Sequence, residues 1–221
     1  MTKHLRNAGR KRPKGEPLSL DLFSKLRKDI LQETFPRGCK LTEQQISAAY
    51  GVSRTPVREA FRQLETEGLI EMIPNRGAFA VGFTAQEMLD IFALRKLYEI
   101  QAVTWAIERI TEEEQNTLSE TFAFMEFYTA KGDTEKMQNI NAGFHQLIYT
   151  ASRSKALQNA LTAYQFYIRH AKGRPPVAGS DLSAALSEHR VIFEAIQDAD
   201  AVKGIAATGA HMDNALARFC R

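Results

Sequence analysis

Three histidines and one asparagine hold the clearest option for chemistry in the second half of the chain. His145, His189 and His211 fall on three different predicted helices, and Asn141 precedes His145 by four residues, so both project from one helical face. Imidazoles from separate helices, joined by an oxygen ligand, can converge in a bundle core on a divalent metal. Their spacing is dispersed, which by itself is a weak signal for a metal, and the alternative is three histidines that hydrogen-bond in a core or face solvent. No acidic residue is recognisable as a partner for them. Arg95 stands four residues before Glu99, the spacing of a surface ion pair on a helix. His170, with Tyr164, Phe166 and Tyr167, lies on a further helix, where such aromatics line a pocket or fill a core. A second chemistry is written in residues 53–64. Arg54, Arg58 and Arg62 repeat at i, i+4 and i+8, while Val57, Ala60, Phe61 and Leu64 form an apolar stripe on another face. Such a helix suits a DNA major groove. The alternative is an amphipathic helix with a solvated basic face.

The elements around that helix narrow the choice. Ser53 or Thr55 can cap its start, and Pro56 is tolerated in a first turn. Before it, Thr42 and Gln45 have capping-box spacing, Ile46, Ala49 and Tyr50 make an apolar stripe, and Gly51 is a natural helix stop. This is helix, tight turn, helix. After it, the apolar runs 68–73 and 78–81 flank Pro74-Asn75-Arg76-Gly77, which predicts a β-hairpin. Leu22, Phe23, Leu26 and Ile30 mark a preceding helix over 18–33. The head is thus a winged helix-turn-helix. Met1 to Glu16 carries six Lys or Arg before its first acid, and reads either as a disordered arm that attracts phosphate or as a solvated tail.

Past Val81 the apolar period is helical throughout. Helices are predicted over 84–109, from the Thr111–Glu114 capping box to 130, and over 134–150, 154–172, 181–198 and 201–219, with Gly173 to Ser180 as a loop. Six such helices can form an antiparallel bundle with its own core. The fold class is therefore mostly α, with boundaries at 1–17 (arm), 18–82 (DNA-binding head) and 83–221 (helical body).

Charge divides the chain in the same place. Residues 1–80 hold 15 Lys/Arg against 9 Asp/Glu, and residues 81–221 hold 14 against 17. A basic head on a mildly acidic body fits a nucleic-acid reader joined to something else. No run is long and apolar enough to span a membrane or serve as a signal peptide, and Cys39 and Cys220 are too few for a disulfide framework. The expected location is the cytoplasm.

The run Leu41-Thr42-Glu43, Gly51 to Ala60, Leu64 to Ile70 and Pro74 to Gly77 resembles the DNA-binding head of GntR-family bacterial transcription regulators. Leu94 to Ala102, Asn141 to His145, Glu188 to Ile196 and His211 are similar to the FCD effector domain of that family's FadR branch, and six helices resemble its shorter, VanR-like variant. The resemblance implies a homodimer on a palindromic double-stranded operator. Thr42, Ser53, Arg54, Thr55, Arg58, Arg62, Arg76 and Gly77 would contact the DNA. It also implies one divalent transition metal (zinc, nickel or manganese) on Asn141, His145, His189 and His211, and a small organic acid bound there and by a cavity-facing Arg95. Many members have Asp where this chain has Asn141, which removes one negative charge. The expected function is a ligand-responsive regulator, a repressor by preference, and not an enzyme. The rivals are a metal-dependent hydrolase with a DNA-binding head, and a DNA-binding dimer without an effector. The chain is too short for the aminotransferase-like domain of some relatives.

Overall fold

The computed structural model describes residues 18–173 and 179–221. The basic arm expected over 1–17, and residues 174–178 of the expected loop, lie outside them. The chain forms two compact units. One runs to Ala85 and includes residues 170–172; the other comprises 86–169 and 173–221. Among the described residues, no helix is long and apolar enough to cross a membrane.

The first unit contains α1 (Leu18–Leu31), β1 (Lys40–Leu41), α2 (Glu43–Tyr50), α3 (Arg54–Thr66), β2 (Ile70–Ile73) and β3 (Gly77–Ala80). Thr42 caps α2 with a complete capping box, and Gly51 ends it at φ 67°, the left-handed turn that lets α3 start three residues later. Val57, Ala60, Phe61 and Leu64 are buried, as their spacing predicts, against Leu22, Leu26 and Ile30 of a similarly spaced α1. The hairpin turns at Pro74-Asn75, where Asn75 takes φ 60° and the Arg76 N–H donates to the Ile73 carbonyl at 3.0 Å. Ile70 pairs with Ala80 and Ile73 with Gly77. The sheet order is β1-β3-β2, so a third strand joins the expected hairpin. Two residues are too few to show a period, and Lys40–Leu41 is a strand only because β3 offers it a free edge.

The second unit contains α4 (Ala85–Arg109), α5 (Glu112–Ala130), α6 (Thr134–Ala151), α7 (Lys155–His170), α8 (Gly179–Gln197) and α9 (Ala201–Phe219). Two boundaries shift by two residues, the others by one at most: α7 stops at His170 instead of Lys172, and α8 starts at Gly179 instead of Asp181. Thr111 and Asp133 cap α5 and α6 as their types suggest, and Asp200 caps α9. Helix α8 packs along α9, and α5 along α6 and α8. At Gly204 helix α9 comes close to α4: a Cβ there would lie 2.8 Å from Ile107 Cδ1, so a larger residue would require that side chain to move.

Candidate functional site

On the head, Ser53 forms the N-cap of α3, and Ser53, Arg54, Thr55, Arg58 and Arg62 are all exposed. Arg76 is exposed at the hairpin turn with its guanidinium 5.6 Å from the Phe79 ring, and Gly77 opens β3 at φ 97°. Thr42 is occupied by its capping box. Arg58 Nε donates to Glu43 Oε1 at 2.7 Å, which ties the start of α2 to α3 and holds the Glu43 carboxyl below its usual range. An ion pair this exposed is weak enough to be exchanged for a contact with DNA.

The second unit gathers the histidines. His145 lies on the buried stripe of α6 with Met137, Phe144 and Ile148; His189 lies on α8 between Leu182 and Ile192; His211 lies on α9 beside Thr208 and Met212. Each ring therefore points into the core, and their candidate ligand atoms lie within 4.8 Å of one another. His145 Nε2 is 3.1 Å from His189 Nε2. Two ligands about 2.0–2.1 Å from one zinc-sized ion stand roughly 3.0–3.4 Å apart.

The other ring nitrogens are committed elsewhere. His145 Nδ1 is 3.3 Å from Glu99 Oε2, His189 Nδ1 contacts the Ala185 carbonyl, and His211 Nδ1 is 2.8 Å from Glu188 Oε2. Carboxylates and carbonyls accept, so each Nδ1 carries the proton. The Nε2 lone pairs are then left to face each other, an arrangement that repels unless a cation lies between them. Asn141 Oδ1 is buried in the same cavity without a hydrogen-bond donor among the described residues. An oxygen acceptor orphaned beside three converging lone pairs fits a metal ligand set of three nitrogens and one oxygen.

Glu99 and Glu188 correct the expectation that no acid accompanies the histidines. Both lie behind them, on the Nδ1 side. Arg95 is correspondingly not at the surface. It is 7% exposed, and its Nε and Nη2 reach Glu99 Oε1 at 3.0 and 2.8 Å, with the Tyr149 hydroxyl on the same oxygen. Arg218 forks onto both oxygens of Glu188 at 2.8 Å each, and Asn214 adds a third donor. Burial alone would raise the Glu188 pKa, but the hydrogen bonds from Arg218 and His211 outweigh it and bring it down to about 2. Arg95, Asn141 and the three histidines line one cavity of about 490 Å³. From α7 the cavity takes Ile168 and none of Tyr164, Phe166, Tyr167 and His170; Tyr167 is buried and Tyr164 lies against Tyr98, with ring centroids 6.0 Å apart.

Burial, reinforced by the neighbouring imidazoles, lowers the pKa of His189 and His211 below the ordinary histidine value. The folded protein thus resists protons that the unfolded chain accepts below about pH 6.5. More protons on the unfolded side means stability rises with pH there, so the metal-free protein should melt at progressively lower temperature as pH falls from 7 to 5. Calorimetric scans after chelation measure this. A Tm flat across that interval would mean that the rings take up protons in the fold as readily as in the unfolded chain.

Residues 18–80 match the bacterial regulatory proteins of the gntR family, and residues 90–214 match the FCD domain. The chain is 31% identical over 186 residues to the "Uncharacterized HTH-type transcriptional regulator YdhC" of Bacillus subtilis (strain 168), covering 83% of each. It is 25% identical over 190 residues to the "HTH-type transcriptional repressor RspR" of Escherichia coli (strain K12), covering 85% of this chain and 83% of that one. Among solved structures, E. coli McbR/YncC shares the fold with a TM-score of 0.72 at 20% identity, over 93% of this chain and 98% of that one. The relatives are regulators and not enzymes, which agrees with the absence of catalytic function expected from the sequence. The chain belongs to the GntR family of DNA-binding transcriptional regulators, with a winged helix-turn-helix head and an FCD body.

Proposed function

We propose that this regulator is a metal-containing sensor of a small organic acid, and that it represses transcription as a homodimer on a palindromic operator. The carrying observation is the cavity where candidate ligand atoms of three histidines lie within 4.8 Å of one another and whose lining includes Asn141, with its buried, unpartnered oxygen. Asn141, His145, His189 and His211 would hold one divalent ion, with zinc, nickel and manganese all compatible with this donor set. Such an ion supplies a Lewis-acid anchor for a carboxylate oxygen. Binding regulates only if the acid favours one arrangement of the paired heads over another. The name of RspR supports repression, and the homodimer follows from the short half-site that one winged helix reads. We place the functional boundaries at 18–82 and 83–221. The test is to measure metal by mass spectrometry and operator binding with and without added carboxylates, with light scattering for the dimer. A metal-free protein whose operator affinity ignores every acid offered would favour the effector-free dimer.

In the head, Arg54 and Arg58 are assigned to base edges, guanine O6 and N7 being the simplest target. Arg62, Thr42, Ser53, Thr55, Arg76 and Gly77 are assigned to backbone or minor groove. Arg58→Ala is expected to weaken operator binding by roughly ten- to a hundredfold and to relax preference at one base pair per half-site. Competition binding against an operator library reads both effects. Undiminished preference at every position would take Arg58 off the bases.

A further inference from the structure

The walls of the cavity sort by charge. Among its described lining residues the cations are Arg95, Arg218 and Arg221, and each already has a carboxylate: Glu99, Glu188 and Asp181, the last with Arg221 Nη1 at 3.0 Å. The Nε–Nη2 edge with which Arg95 would clamp an acid is on Glu99. The rest of the wall is largely apolar: Phe92, Met137, Ile168, Leu182, Ala215 and Phe219. His211, Ala215 and Phe219 recur at every fourth residue of α9, so the cavity follows that helix for about 12 Å from the histidines. A volume of 490 Å³ is far more than a two-carbon acid fills, and lies within the roughly 300–1,000 Å³ of sites for drug-sized ligands.

We propose that the effector is an amphipathic monocarboxylate, with its single anionic head at the histidines and an uncharged apolar tail along the α9 wall. This inference rests on the carboxylate-sensing reading above and narrows it. A second carboxylate farther along α9 would meet one cation outside the histidine cluster, Arg221, whose charge Asp181 already balances, beside the apolar side chains of that wall. The walls therefore select against di- and tricarboxylates.

The test is calorimetric titration of the metal-loaded, full-length protein with acetate, hexanoate and adipate. Hexanoate and adipate have the same number of carbons and differ only at the far end. Each methylene buried is worth about fourfold in affinity, and hexanoate has four more than acetate, so it should bind roughly 250-fold tighter. It should also bind at least about tenfold tighter than adipate, whose second charge has only apolar side chains and an already paired Arg221 for neighbours. Adipate binding as well as hexanoate overturns the single-head proposal and leaves carboxylate sensing intact. Acetate equal to hexanoate overturns the apolar tail. No binding by any of the three overturns carboxylate sensing itself and this inference with it. Ala215→Lys, checked for intact metal content, should shift the preference from hexanoate toward adipate; an unchanged ratio removes the tail from the α9 wall.

Discussion

His189→Ala should purify with less than about a tenth of the wild-type metal while still binding operator DNA. His189 is 1% exposed, contacts His145 across 3.1 Å, and is held by the Ala185 carbonyl in the tautomer that leaves Nε2 available. Loss of a partner behind a ligand commonly costs about 10–100-fold in metal affinity, and loss of the ligand itself should cost more. The operator contacts belong to the other compact unit, so they should survive. Chelation adds a second readout. A metal present at about a thousand times its Kd stabilises the fold by roughly 4 kcal/mol, worth about 10 °C in Tm for a chain of this size. Wild-type protein should lose that on chelation, and His189→Ala should not change. Stoichiometric metal in the variant would show that the ligand set is wrong.

Much of this architecture is legible in the sequence because caps and periods are local signals. Thr42–Gln45, Gly51, Thr111–Glu114 and Asp133 act in the structure as their residue types suggest, and the stripe Val57–Ala60–Phe61–Leu64 is buried as its spacing requires. The histidines are recognisable as a set through the resemblance to the FCD domain, because their spacing over three helices is too dispersed to mark a site by itself. Their acids are not recognisable, since Glu99 lies 46 residues from His145, and Glu188 lies 23 from His211. One signal was available. Met88, Ile91, Phe92, Ala102 and Ala106 form a single stripe on α4, and Arg95 and Glu99 fall on it. A charged pair on an apolar stripe is a buried pair, whereas i,i+4 spacing alone suggests a surface one. The two-residue β1 left no such trace, because its existence depends on a distant strand, where Lys40 pairs with Phe79 and Leu41 with Ala78.

Glu99→Ala should be among the most destabilising single changes in the body. Glu99 is 2% exposed and accepts from Arg95, Tyr149 and His145. Burial by itself would raise its pKa, but electrostatic interaction with His145 and Arg95 and the hydrogen bonds from His145 and Tyr149 prevail and hold it well below the ordinary carboxylate range. A depressed carboxyl contributes stability above its unfolded pKa of about 4.3 and loses it as pH falls further. Removing it strands the Arg95 guanidinium in the core, for which about 3–5 kcal/mol is expected, or a Tm lower by roughly 6–20 °C. The His145 ring also loses the acceptor that fixes its tautomer, so metal affinity should fall about 10–100-fold even where the fold survives. Two comparisons separate these effects. Arg95→Met with Glu99→Leu removes both charges and should recover most of the stability but not the metal affinity. Glu99→Gln keeps an acceptor and should lie between wild type and Glu99→Ala in metal binding, without the wild-type loss of stability below about pH 4. Chemical denaturation and metal titration of the four proteins decide the matter. If Glu99→Ala costs less than about 1 kcal/mol and leaves metal affinity unchanged, Glu99 neither balances Arg95 nor orients His145.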